Sequence, residues 1–258
     1  MVVRLASVDA RGRVGIVNEP ELRYLGIALN EMKRGVKIVG NMKLLLVEGQ
    51  PGSGKTTFSK KICQLLTGQN LANRYLDEYV QDTAIFGDFW VPTSSSIGTL
   101  VNGFLKAWEN YLQDNATGNV IHIFDNTLLN QVQYLLINNL PEDDIRTYFQ
   151  QVYELWTGIV VGMIFFVGDP NIVIPRISST RENSWGDRVA TLLETYPYQQ
   201  ERYRSGQSGM IDFFLDAQAF KQKLLVQWPY PLLICDVTTG DFQSHEQPIT
   251  EFVHSLLT

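Results

Sequence analysis

A short unbroken apolar run, Leu44-Leu45-Leu46-Val47, is followed across a glycine-rich stretch by apolar residues at helical spacing: Phe58, Ile62, Leu65 and Leu66. Apolar runs of this length predict a strand buried on both faces, and recurrence every three or four residues predicts a helix with one buried stripe. The alternation continues to the C-terminus. It predicts strands at 43–48, 73–77, 120–124, 160–167 and 232–236, and helices at 55–67, 97–113, 127–139, 142–157, 186–203, 212–227 and 247–257. Pro141 followed by Glu142, Asp143 and Asp144 suits the first turn of one of these helices, where a missing N–H costs nothing and acids meet the positive dipole end. Strand–helix alternation of this kind predicts an α/β fold in three layers, a mostly parallel five-stranded sheet with helices on both faces. Residues 1–41 break the pattern. They have weak periodicity and seven Arg/Lys against four Asp/Glu, and are expected to be a non-essential N-terminal extension of uncertain structure, with Met32 and Met42 as alternative starts, ahead of one domain at 42–258.

Composition narrows the setting. In a chain of 258 residues, 45% hydrophobic content suffices for the core of one α/β domain. The longest apolar candidate, 159–167, is strand-length and far short of the ~20 residues that span a bilayer, so no membrane partner is expected. Arg4, Arg11 and Arg13 are not followed by the continuous apolar core of a secretory leader. Cys63 and Cys235 have no partners at metal-ligand spacing and read as thiols of a cytoplasmic protein. A net charge of −6 argues against a nucleic-acid polymer as partner, without excluding a small basic pocket. A homodimer is left open.

The glycine-rich stretch is Gly49-Gln50-Pro51-Gly52-Ser53-Gly54-Lys55-Thr56, which matches the phosphate-loop pattern at every fixed position and lies between a strand and a helix. Its glycines let consecutive N–H groups face one anion at a helix N-terminus. This predicts a P-loop NTPase fold in which residues 49–57, Thr57 included, bind the phosphates of ATP. Lys55 is the candidate catalytic cation on the β- and γ-phosphates, and Thr56 is a candidate Mg²⁺ ligand.

Asp125 ends the strand Val120-Ile121-His122-Ile123-Phe124 at the same sheet edge, where it is either a second Mg²⁺ ligand or the cap of the next helix. Glu78, and after it Asp77, follow strand 73–77 and are candidates to orient an acceptor hydroxyl and take its proton. Solvated acids opening a loop are the competing reading. Beyond them Tyr79, Asp82, Phe86, Phe89 and Trp90 would either stack on a planar substrate or pack the loop. Arg176, Arg181 and Arg188 fall in an arginine-rich stretch at about 170–205, read as a lid that brings guanidinium groups over the transferring phosphate. The alternative is a solvated helix face paired with Glu182, Asp187 and Glu201. Residues 237–240 would lie near a bound adenine. His122, His245 and His254 form no ligand cluster.

With these residues in view, residues 42–258 resemble the P-loop kinase group that holds thymidylate, deoxynucleoside and adenylate-like kinases. They are most similar to thymidylate-kinase-like ATP-binding proteins of bacteria. Besides the phosphate loop, the resemblance rests on 124–131 (FDNTLLNQ), 195–202 (TYPYQQER) and 234–242 (ICDVTTGDF). It implies an ATP- and Mg²⁺-dependent phosphotransferase acting on a small-molecule acceptor such as a nucleoside or nucleotide. One departure bears on the acceptor: where such kinases carry an acid–arginine pair after the third strand, this chain has Asp125-Asn126. A nucleotide-dependent switch or slow ATPase is the alternative. It is disfavoured by the lack of an Asn-Lys-x-Asp guanine motif and of paired acids after that strand.

Overall fold

The computed structural model describes residues 6–8, 14–16, 42–78, 85, 97–116, 118–178 and 184–257. The chain divides into two compact units, Met1–Lys37 and Ile38–Thr258. In the first, β1 (Ala6–Val8) and β2 (Val14–Ile16) pair antiparallel, an element the weak periodicity of this region does not reveal.

The second unit is built on a five-stranded sheet of β3 (Lys43–Gly49), β4 (Asn73–Leu76), β5 (Ile121–Asp125), β6 (Val160–Val167) and β7 (Leu232–Asp236). Their order is β4-β5-β3-β6-β7 and every pairing is parallel, so all five carboxyl ends meet at one edge. Along β3 the side chains alternate between faces. Leu45 and Val47 pack with Phe58, Ile62 and Leu66 of α1 (Lys55–Gly68) and with Ile249 and Val253 of a C-terminal helix (Glu246–Ser255). Leu44 and Leu46 face a larger core shared by α2 (Ile97–Asn115), α3 (Leu128–Ile137) and α4 (Glu142–Leu155). Both faces are therefore covered, as the near-continuous apolar strands require. The centre of the larger core is aromatic: Trp108 and Trp156 meet edge to face at 5.1 Å, and Phe124 lies 5.2 Å from Trp108.

The region after β6 departs from expectation. Two short helices, α5 (Pro170–Val173) and α6 (Pro175–Ser178), precede α7 (Trp185–Glu194), and the single helix expected at 186–203 is broken. Pro197 cannot extend a helix and drives Tyr196 to extended backbone, so α8 (Pro197–Glu201) starts afresh. Tyr203 then takes a positive φ of 53°. The next helix, α9 (Gly206–Leu225), begins six residues before the expected position because Gly206-Gln207-Ser208-Gly209 has the composition of a loop. Gly209 has a packing role: a Cβ there would lie 3.0 Å from the Arg204 backbone. The chain ends with a short 3-10 turn (Gln243–His245) leading into α10 (Glu246–Ser255). Among the described residues no helix is long and apolar enough to cross a membrane.

His122 is buried in β5 beside the Tyr111 hydroxyl. Burial first, and the Arg74 charge second, lower its pKa from 6.5 to about 4. Its neutral form therefore contributes stability that is complete above pH 6.5 and is lost as pH falls towards 4, where only the unfolded chain takes up the proton. His122→Gln is expected to flatten the dependence of unfolding free energy on pH between 6.5 and 4, read by denaturant titrations across that range. An unchanged slope would contradict a buried neutral imidazole.

Candidate functional site

The loop between β3 and α1 has the geometry its glycines imply. Gly52 and Gly54 hold φ of 80° and 83°, which side-chain-bearing residues rarely adopt. Space is restricted as well: a Cβ on Gly52 would stand 2.4 Å from the Val173 carbonyl oxygen of α5, and one on Gly54 2.8 Å from the Phe242 ring. Gln50 braces the loop by donating to the Gly168 carbonyl at 2.7 Å. Lys55 opens α1 and is only 7% exposed. Buried Ser53 Oγ has no hydrogen-bond partner.

Asp125 lies at the end of β5 on the α1 side of the sheet. The Tyr75 hydroxyl donates to its Oδ2 at 2.9 Å, while its buried Oδ1 has no partner. Burial raises its pKa, opposed by the Lys55 charge and the Thr56 hydroxyl. The capping role open to it in the sequence is filled instead by Glu48, whose buried carboxylate accepts from the backbone N–H groups of Thr127 at 3.1 Å and Leu128 at 2.8 Å. An unpartnered carboxylate oxygen beside Thr56, together with a glycine cradle lined by an orphaned hydroxyl, fits a triphosphate with its divalent cation. Among the described residues no group of three or more His, Cys, Asp or Glu could hold a metal by itself, so a cation here would take part of its shell from the nucleotide or water.

Glu78 is drawn into the site. Its Oε1 accepts from Asn126 Nδ2 at 2.7 Å and Asn130 Nδ2 at 3.3 Å, and its Oε2 lies 3.9 Å from Lys55 Nζ. Asn126 reaches it from a left-handed backbone, φ 60°, which Asn tolerates better than most residues. Asp77 stays with the Tyr75 hydroxyl at 3.2 Å.

Above Glu78 opens a cavity of 220 Å³, whose polar side carries Lys55, Glu78, Asn126, Asn130 and Gln133. Its apolar side is formed by Trp185, Val189, Leu192 and Leu193 of α7 and by Phe214 of α9. A cavity with convergent polar groups on one side and an apolar wall on the other suits a small molecule.

The arginines are distributed differently from the lid expectation. Arg176 donates to the backbone carbonyls of Val237, at 2.6 Å, and Thr238, binding α6 to the loop after β7. Those are two of the backbone acceptors the sequence offered to an adenine. Arg188 is on the exposed side of α7, whereas Val189 of the same helix lines the cavity. Arg181 lies outside the described residues, as do Tyr79, Asp82, Phe86, Phe89 and Trp90. Thr57 is exposed at the start of α1.

Sequence reasoning missed the amides. Asn126, Asn130 and Gln133 recur at helical spacing on a segment whose other residues are mostly apolar, Leu128, Leu129, Val132, Leu135, Leu136 and Ile137 among them. Polar residues aligned on one stripe of an apolar helix were the available signal.

No family model and no curated protein matches the chain. Among solved structures, it is similar to thymidylate kinase from Candida albicans at 15% identity, covering 83% of this chain and 92% of that one, with a TM-score of 0.50. Two structures of deoxyadenosine kinase from M. mycoides also align. One, with bound dATP, has 17% identity, 82% and 99% coverage and a TM-score of 0.49. The other, with the products dCMP and dCDP, has 16% identity, 83% and 99% coverage and a TM-score of 0.46.

Gly52→Ala is expected to leave the fold intact and to weaken ATP binding roughly 10- to 100-fold, through a strained φ and a clash with α5. Titration with a fluorescent ATP analogue measures this, with circular dichroism as the folding control. Undiminished affinity would remove the loop from the nucleotide site. At the level of fold, the chain is an α/β protein with an all-parallel five-stranded sheet, similar to that of the Candida albicans enzyme.

Proposed function

We propose that this chain is an ATP-dependent kinase that transfers the γ-phosphate to a hydroxyl of a small planar acceptor of the nucleoside class. The observation that carries this reading is the position of Glu78, 3.9 Å from Lys55 and lining a cavity beside the phosphate loop. An ATPase needs only a water next to the γ-phosphate. A kinase needs a second pocket with a group that can bind and deprotonate the acceptor.

The roles follow from the residues. The loop amides, Lys55 and Ser53 hold the phosphates, and Thr56 and Asp125 hold Mg²⁺. When bound, Mg-ATP supplies the phosphoryl group and most of the charge neutralisation. Asn126 and Asn130 fix the Glu78 carboxylate by donating to a single oxygen, leaving the other directed at Lys55 and the cavity. From there Glu78 orients the acceptor hydroxyl and accepts its proton. The α7 and α9 walls exclude water, which favours transfer over hydrolysis. Of the arginines in this stretch, Arg181 is assigned to the developing phosphate charge and Arg176 to holding the 237–240 loop.

Two experiments test this. With γ-labelled ATP and a panel of nucleosides and nucleoside monophosphates, label is expected in a nucleoside product, and Glu78→Gln is expected to lower kcat roughly 10²- to 10⁴-fold while ATP affinity holds. Steady phosphate release with no labelled acceptor would favour a slow ATPase or switch and overturn the kinase reading. Asp125→Ala is expected to weaken Mg-ATP much more than metal-free ATP in equilibrium titrations. Equal losses would remove Asp125 from the metal site.

A further inference from the structure

The cavity side of α3 is tied to a buried lysine that catalysis as described above does not use. Lys221 of α9 and Glu48 of β3 are both fully enclosed in the core. Burial pushes the Glu48 carboxyl up and the Lys221 ammonium down, and the two charges oppose those shifts in one another. Glu48 spends its hydrogen bonds on the start of α3, as described. Lys221 Nζ donates to Gln133 Oε1 at 2.7 Å. Gln133 is therefore held from below, by an ammonium that has donors only.

An amide has a donor end and an acceptor end, and an ammonium takes only the acceptor end. With Oε1 committed to Lys221, the end of Gln133 left for the cavity is its NH₂. At the other end of the polar stripe the situation is reversed. Asn126 gives its NH₂ to Glu78, and its carbonyl oxygen is buried without a partner in a side chain only 6% exposed. The stripe thus ends in an acceptor and the Glu78 carboxylate on one side, and in a donor on the other. Within α3, Gln133 follows Asn130 by three residues, about 4.5 Å along the helix axis, and Glu78 and Gln133 both line the cavity. This arrangement suits a ligand with a hydroxyl towards Glu78 and a hydrogen-bond acceptor on a ring towards Gln133.

We propose that Gln133 is a specificity-determining residue that donates to a carbonyl oxygen or unprotonated ring nitrogen of the acceptor's base, and that Lys221 is the positioning residue that sets this polarity. The inference rests on the reading of the cavity as a nucleoside site. Gln133→Leu keeps the size and removes the donor. Lys221→Met removes the constraint, and the amide of Gln133 is then free to turn over. Lys221→Arg keeps a donor-only cation.

The test is calorimetric binding of thymidine, deoxycytidine, deoxyadenosine and deoxyguanosine to the full chain, with the phenyl C-glycoside of deoxyribose as a ligand that has the sugar hydroxyls and a ring but no acceptor atom. The best-bound nucleoside is expected to lose about 10- to 100-fold in affinity with Gln133→Leu and with Lys221→Met, and to regain most of it with Lys221→Arg. The phenyl compound is expected to bind all four proteins alike, an outcome that a general loosening of the core would not give. Turnover should follow the same split, with KM for the nucleoside rising and kcat changing little. If wild-type protein binds the nucleosides but Gln133→Leu binds them equally well, this inference fails and the kinase reading stands. If wild-type protein binds none of them, both fall.

Discussion

A carboxylate sealed in the core, Glu48, connects the sheet to both halves of the site. It is the penultimate residue of β3, directly before the first glycine of the phosphate loop, and it holds the backbone N–H groups that begin α3. A helix start buried without such a partner would leave several N–H groups unsatisfied. A buried carboxylate without a nearby cation would itself be costly, and Lys221 meets that need from the facing helix. Glu48 thereby fixes the glycine-rich loop relative to the helix whose amides line the cavity.

The chemistry then divides along the strand. Odd positions of β5, ending in Asp125, point to the α1 side with Thr56, where the proposed phosphate and metal site lies. Even positions of β3, ending in Glu48, point to the α3 side, where the cavity lies. The period-two alternation of a strand separates the proposed donor and acceptor sites across the sheet edge, and Lys55 and Glu78 meet at the boundary.

Much of the fold could be read in the sequence because its signals are local. The buried strands are apolar runs, α1 and α4 carry regular stripes, and the loop glycines at 52 and 54 are required by positive φ. The region after β6 was harder to read for equally physical reasons. Pro197 breaks an apolar period that otherwise continues, and a Gly-Ser composition conceals the first turn of α9. Within the site, Lys55 and Glu78 were visible because motif and strand end both point to them. Asn126, Asn130 and Gln133 were not, since an amide has no charge to mark it and its role depends on partners at Glu78 and Lys221, 48 and 88 residues distant. Arg176 is the converse case: a charged residue in a suggestive stretch whose guanidinium holds backbone carbonyls.

The central claim is that Glu78 faces an acceptor hydroxyl across from the phosphate donor. A crystal structure with Mg²⁺, a non-hydrolysable ATP analogue and the nucleoside that binds best tests it most directly. The account predicts a nucleoside hydroxyl oxygen about 3 Å from the Glu78 carboxylate and in line with the γ-phosphorus. A cavity filled by side chains or water, with the nucleoside bound elsewhere and Glu78 still closed on Lys55, would contradict it.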